Sequence, residues 1–171
     1  EMCIRDSYEG ELEDFSPDYF NAIADRTRDM IADLDALDDC TDESDDEDDF
    51  DEVDIVTAAV LRDRLCLQLD LHHQGEDLRN LNNITSPVQT IRDTLVLMPH
   101  DTAEQVDAIR SRLSKVEKSL LGYRESLAEA AAHGQVSATR QISEVISQCS
   151  ALADAGSLLE TLGVAPESPE V

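Results

Sequence analysis

Apolar residues recur along this chain at three- and four-residue intervals, and nowhere do they alternate singly as in a half-buried strand. Phe20, Ile23, Met30, Ile31, Leu34 and Leu37 keep the helical interval. They follow Phe15-Ser16-Pro17, where Ser is a good N-cap and Pro suits the first helical position. The spacing predicts a helix with one buried face. Val53, Val56, Val60, Leu67 and Leu71 form a second stripe, flanked by Ile55, Ala59, Cys66 and Leu69. A helix from about Glu52 to His73 is therefore apolar over more of its circumference than one neighbour can cover. Ser86-Pro87 repeats the cap-and-proline signal and opens a short helix through about Leu97. Thr102-Ala103-Glu104-Gln105 is a capping box, with Thr reaching forward and Gln reaching back. It starts the longest helix, in which Val106, Ile109, Leu113, Val116, Leu120, Tyr123 and Leu127 are the apolar face and Gly134 the stop. Ser137 is read as the cap of a further helix with Ile142, Val145, Ile146, Cys149 and Leu152 inward, and Ser157–Leu162 as a final turn or two. The pattern predicts an all-α protein, an irregular bundle of about five to six helices without a sheet or a fixed-period repeat.

Charge changes this picture in one place. From Asp38 to Asp54, twelve of seventeen residues are acidic, and like charges at that density keep the backbone solvated, so an acidic loop is expected at about 38–52. A calcium-binding loop of EF-hand type needs glycine at its sixth position and glutamate at its twelfth. No register here supplies both. Over the whole chain 39 acidic residues face 13 basic ones, a formal net charge of -26, which repels phosphate backbones and argues against nucleic acid as a partner.

The 171 residues suit one domain, placed at 8–163 with a flexible tail at 164–171. Glu1–Ser7, EMCIRDS, resembles a translated sequencing adapter and is set aside from fold reasoning as a non-native start. No apolar run of 18 residues exists, so no membrane span is predicted, and no secretory signal opens the chain. A cytoplasmic protein is the expectation, although a non-native start leaves open a lost signal peptide.

A search for chemistry returns no complete active site. There is no GxSxG, no HExxH and no phosphate-cradling glycine loop among only six glycines. Cys3, Cys40, Cys66 and Cys149 lie too far apart in sequence for a zinc or redox pair and read as buried or incidental thiols. His72 and His73 are adjacent, and adjacent helical side chains diverge by about 100 degrees, so they cannot share one metal as an i, i+4 pair does. Capping the negative end of their helix is the simpler use. Asn83-Ile84-Thr85 matches a glycosylation acceptor only by chance. From the residues alone, this chain has no catalytic residue, no metal ligand and no cofactor of its own.

Leu81–Pro99, LNNITSPVQTIRDTLVLMP, stands apart as the least acidic long stretch. Together with Asp14-Phe15-Ser16-Pro17, Leu61-Arg62-Asp63-Arg64-Leu65, Asp77-Leu78-Arg79-Asn80, Leu97-Met98-Pro99, Leu121-Gly122-Tyr123-Arg124-Glu125-Ser126-Leu127 and Arg140-Gln141, it resembles the bacterial family designated domain of unknown function 885. The likeness covers about Tyr8 to Leu152. It implies mostly helical zinc metallopeptidases whose HExxH motif lies in a C-terminal half absent here. None of His72, His73, His100 and His133 matches that motif, and Leu95-Val96 departs from the aromatic-acidic pair of the family. The resemblance therefore implies an N-terminal fragment of a larger helical enzyme, inactive alone. Zinc belongs to the full-length parent, whose partners are its missing C-terminal part and a peptide substrate. A stand-alone acidic helical interaction module is the alternative. In the parent, Asn82, Asn83, Gln89 and Arg92 are the candidate residues lining the substrate cleft, with the amides facing a peptide backbone and Arg92 a carboxylate. The competing use of the same stretch is a connection whose Asn side chains cap neighbouring helices.

Overall fold

The structure, a computed structural model, describes residues 10–41 and 51–153. The adapter-like Glu1–Ser7, residues 42–50 of the acidic run, the turns expected at Ser157–Leu162 and the tail at 164–171 lie outside the described residues. Five helices are present, α1 (Pro17–Thr41), α2 (Glu52–His73), α3 (Pro87–Val96), α4 (Ala103–Ala132) and α5 (Thr139–Ala153), with no strand among the described residues. The protein is all-α. It divides into two compact units, a hairpin unit of Pro17–Leu78 and a discontinuous unit formed by the segments on either side of it, up to Ser16 and from Arg79 onward.

In the hairpin unit α1 packs against α2. Ala24 and Thr27 of α1 are buried, with Phe20, Ile23, Ile31 and Leu34 half-buried on the same face. Met30 and Leu37, read as part of that face, are exposed instead. α1 runs on to Thr41, past the Asp38 where the acidic loop is expected to begin, and α2 begins at Glu52, as the apolar pattern predicts. The second boundary has a clear cause. Asp51 Oδ1 accepts from Val53 N at 2.8 Å and Asp54 N at 2.9 Å, while Asp54 reaches back to Asp51 N at 3.2 Å. Carboxylates that repel in a loop are favourable at a helix N-terminus, where free amides and the dipole await them. The other end of α2 closes on Gly75, whose φ of 72° lets Gly75 N reach His72 O and Glu76 N reach Leu71 O.

α2 buries one narrow face: Leu65 is buried, and Ala58, Arg62, Leu69 and His72 are half-buried. Arg62 also pairs with Asp35 of α1 at 2.9 Å. At about 100 degrees per residue, Val53, Val56, Val60, Leu67 and Leu71 fall on the opposite side. All five are exposed, from 45% at Leu67 and Leu71 to 69% at Val53.

The discontinuous unit is organised on α4. Its start is the capping box that the sequence predicts, with Gln105 N donating to Thr102 Oγ1 at 3.3 Å and Thr102 N to Gln105 Oε1 at 3.1 Å. Its end is Gly134, at φ 77°. Along one side, α4 receives the extended strip Gly10–Ser16 through a ladder of side-chain donors. Ser111 and Lys115 donate to Gly10 O, Arg112 to Glu11 O, Ser119 to Glu13 O and Ser126 to Phe15 O, at 2.6 to 3.0 Å. Positions 111, 115, 119, 122 and 126 share a helical face, and glycine at 122 allows the closest approach. A Cβ there would stand 2.9 Å from both Ser16 N and Asp14 Oδ1. Phe15, Pro87, Ile91, Leu95, Ile109, Tyr123, Ala130 and Val145 are among the buried apolar residues of this unit.

The sequence reading of α5 needs correction. Its helix starts at Thr139, with Ile142 N bonded to Ala138 O, so Ser137 lies one residue before the cap. Val145 points inward, but Ile142, Ile146 and Cys149 are exposed. The inward row is Gln141, Val145, Gln148 and Leu152. Two glutamines displace the isoleucines because the surface they face is a polar loop.

Candidate functional site

That loop is Asn80–Ser86, and its conformation follows from its amides. Asn82 Oδ1 accepts from Ile84 N at 2.8 Å and Thr85 N at 2.7 Å, a local turn that asparagine makes readily. Asn82 Nδ2 donates to Asn80 Oδ1 at 3.0 Å, and Asn80 Nδ2 to Thr85 O at 3.4 Å. α4 and α5 then fix the turn from outside. Tyr123 Oη donates to Asn80 O at 2.8 Å, Asn83 N donates to Gln141 Oε1 at 2.9 Å, and Gln148 Nε2 donates to Asn83 O at 3.2 Å. Gln89, at the third position of α3, completes the circuit. Its Oε1 accepts from Ser86 N at 2.8 Å and from the Ser86 hydroxyl, and its Nε2 donates to Gln148 Oε1 at 2.5 Å.

Burial anchors one side of this network. Ser86 is fully buried, Gln89 is 3% exposed, and Tyr123 is buried with Phe15 edge-on at a centroid distance of 6.4 Å. Burial raises the Tyr123 phenol from 10.0 to about 12, a nearby Ser86 hydroxyl pulling the other way. Tyr123 is thus a neutral donor over the whole ordinary pH range. At these three buried members the geometry is fixed, because any other arrangement leaves a buried polar group unsatisfied, while Asn80, Asn83 and Thr85 lie at the exposed edge of the circuit.

Of the four residues singled out from sequence, three meet in this circuit. Asn82 and Gln89 direct their side chains into it, whereas Asn83 is gripped by its backbone and sits exposed beside Ile84 and Thr85. Arg92 lies outside the circuit, its Nε and Nη2 on Asp93 Oδ1 of the next residue at 2.8 and 2.6 Å. Sequence reasoning missed Tyr123, Gln141 and Gln148. The signal for the glutamines was their spacing: with Val145 they stand at i, i+4 and i+7 on one helix face. The site can offer hydrogen-bonding groups on a rigid support, and it holds no nucleophile paired with a base.

Other groups are dispersed. His72 Nδ1 lies 2.6 Å from Asp77 Oδ2, His73 Nε2 lies 3.4 Å from Arg28 Nη2, and His133 Nδ1 sits 2.9 Å from Glu129 O of its own helix. Among the described residues no three or more His, Cys, Asp or Glu are grouped to hold a metal ion. A shallow groove bounded by Leu97, Met98, Pro99 and Ala108 has Thr94, Gln105 and Arg112 as its polar members. Gln105 Oε1 is committed there to the Asp101 and Thr102 amides. No helix among the described residues is long and apolar enough to cross a membrane.

A family profile described as bacterial protein of unknown function (DUF885) matches residues 2–167. No curated protein matches the sequence.

Proposed function

The chain belongs to this family of bacterial proteins of unknown function, and on that premise we propose that it is the N-terminal helical part of a cytoplasmic, zinc-dependent peptidase-like hydrolase. It is inert alone and is completed by a C-terminal part that carries the metal. The observation that supports this reading best is the outer stripe of α2. A helix apolar on two opposite sides belongs in an interior, and here one of those sides is exposed. The described histidines are not grouped as a zinc site, being dispersed over two helix ends and a loop, with His72, His73 and His133 beside other partners. Zinc therefore belongs to the completing part, and no hydrolytic step is assigned to this chain.

Within that parent, the latched loop is the rim of the substrate cleft. Asn83 faces an extended peptide, Asn82 and Gln89 hold the rim from behind, and Arg92 meets a substrate carboxylate in exchange for Asp93. The test is to read the coding DNA beyond Val171 and assay the full polypeptide for zinc-dependent peptide cleavage. An in-frame HExxH and activity abolished by chelation are expected, and a stop codon at that point would sink the reading. In the active parent, Asn83→Ala should lower kcat/KM with thermal stability unchanged. Gln89→Ala should lower stability first.

A second reading, a stand-alone acidic interaction module, draws on a different observation. Pro17–Leu78 carries 21 acidic and four basic residues, so the apolar stripe lies in a strongly negative hairpin. A folded, zinc-free natural protein ending at Val171 would favour it.

A further inference from the structure

We infer that the outer face of α2 is the seat of an amphipathic helix with a basic edge, supplied by the rest of the same polypeptide. The inference rests on the reading of the chain as part of a larger protein. Val53, Val56, Val60, Leu67 and Leu71 form an exposed row about five turns long, with Asp63 and Arg64 between Val60 and Leu67, opposite the face that packs on α1. A stripe at this interval presents anchors for the i, i+3, i+4 and i+7 positions of a facing helix.

The edges of the stripe are unequal. Glu52, Asp63 and Asp70 lie along one side, while Arg64 and the neutral Thr57 and Gln68 lie along the other. An occupant must bring Lys or Arg to the first edge, and the 21 acidic residues of the hairpin segment extend the same demand outward. Charge also rules against the simplest alternative. A second copy packed antiparallel would set the same acidic edge against its own, and one packed parallel would offer that edge a single cation, Arg64, in a chain of net charge -26.

The occupant is permanent rather than transient. α2 is fixed as a helix by the Asp51 cap at one end and by Gly75 at the other, so its stripe cannot be hidden by local refolding. Constantly exposed apolar surface of this extent belongs to interfaces of the obligate kind, which resemble a core cut in two.

The test has two arms. In the first, an 18-residue helical peptide with leucines at the helical interval and lysines along one edge is titrated into the 171-residue chain by calorimetry. Controls are a peptide of identical composition with scrambled order and one with glutamates at the edge. Saturable one-to-one binding of the lysine-edged peptide is expected, at least about tenfold tighter than either control. Val60→Glu with Leu67→Glu should weaken it about a hundredfold, as losing two interface anchors does, with helicity unchanged by circular dichroism. Asp63→Lys with Asp70→Lys should reverse the preference toward the glutamate-edged peptide. Equal binding of the scrambled peptide, or indifference to the stripe variants, overturns the proposal, as does reversible dimerisation of the chain through the stripe. In the second arm, Val60→Cys is introduced into this chain and into the full natural polypeptide, and labelling by a maleimide is timed. Labelling at least about tenfold slower in the full polypeptide is expected, because the stripe is then covered. Equal rates mean that the occupant is not on the same polypeptide. A covered stripe in a full polypeptide without zinc-dependent peptidase activity leaves this inference standing and defeats only the hydrolase reading, whereas an active polypeptide with an open stripe does the reverse.

Discussion

The two units invert the usual arrangement in opposite ways. The discontinuous unit buries polar groups: Ser86, Gln89, Ser119 and Ser126 are all within 3% of complete burial. The hairpin unit exposes apolar ones, with seven large aliphatic residues of α2 exposed and only Leu65 of that helix buried. Both are departures from polar outside and apolar inside, but they differ in whether the departure is resolved. Each buried serine has found a carbonyl or an amide, so the discontinuous unit contains the partners of its own exceptions. The stripe of α2 has found none among the described residues. A buried polar group with its partner is satisfied where it stands, whereas an exposed apolar row is the kind of surface that marks an interaction site.

The contrast is broken most severely by deleting one aliphatic side chain in each unit. Ile109 has no exposed surface, so Ile109→Ala should cost about 2 to 5 kcal/mol. Val60→Ala should change stability by no more than about 0.5 kcal/mol, since more than half of Val60 is already in solvent. Urea denaturation of both variants decides it, and equal losses would mean that the stripe is packed in solution. Gly122→Ala should cost about 1 to 3 kcal/mol, because the new methyl meets the Ser16 amide and forces the strip off α4. Hydrogen exchange should then speed up along Glu13–Ser16 and leave α2 unchanged.

Gln89→Ala leaves the buried Ser86 amide without its acceptor, for about 1 to 3 kcal/mol. Gln148→Ala added to it should cost less than its own single effect, since the two carboxamides act as one unit. Additive losses in the thermal midpoints would refute the circuit. The phenol of Tyr123 gives a pH test. Its folded pKa stands above the unfolded one, so its contribution is complete below pH 10 and lost as pH rises toward about 12. Urea midpoints between pH 9 and 12, taken at about one-unit steps, should fall more steeply for the natural chain than for Tyr123→Phe. The smallest effect is on the strip. Burial raises the Glu13 carboxyl above its ordinary 4.5, so its contribution is present below that value and lost as pH climbs through the folded pKa. Glu13→Gln should raise the melting point at neutral pH and leave it unchanged in acid. Asp14 has the opposite sign. Burial pushes it up, but the Ser16 hydrogen bonds and the Lys118 charge outweigh that and lower it, so its contribution fades as pH falls.

What the sequence made legible was local. The caps of α3 and α4 and the stop at Gly134 depend on residues within five positions of one another, and they stand where cap chemistry puts them. Asp51 was hidden by its own abundance, one carboxylate among twelve, because its value comes from the helix that starts after it. The face of α5 was misread for a tertiary reason. Hydrophobicity favoured Ile142 and Ile146, and only the presence of Asn83 makes Gln141 and Gln148 the inward pair. The candidate loop was visible by composition, but which asparagine is held and which is exposed depends on α4 and α5, from about forty to sixty-five residues away.

The ladder on α4 has a consequence for the order in which the chain assembles. The strip from Gly10 to Ser16 is made first, yet its partners are Ser111 to Ser126, and the Phe15 carbonyl waits for a hydroxyl 111 residues later. At a synthesis rate of about 5 to 20 residues per second, that interval is roughly 5 to 20 s. The hairpin, whose helices are neighbours in sequence, can close within this time, while the strip must stay open. The hairpin is in effect an insertion, and the discontinuous unit is a fold that begins before it and can be fastened only after it, so a ribosome stalled short of α4 holds a finished hairpin attached to an unfastened strip.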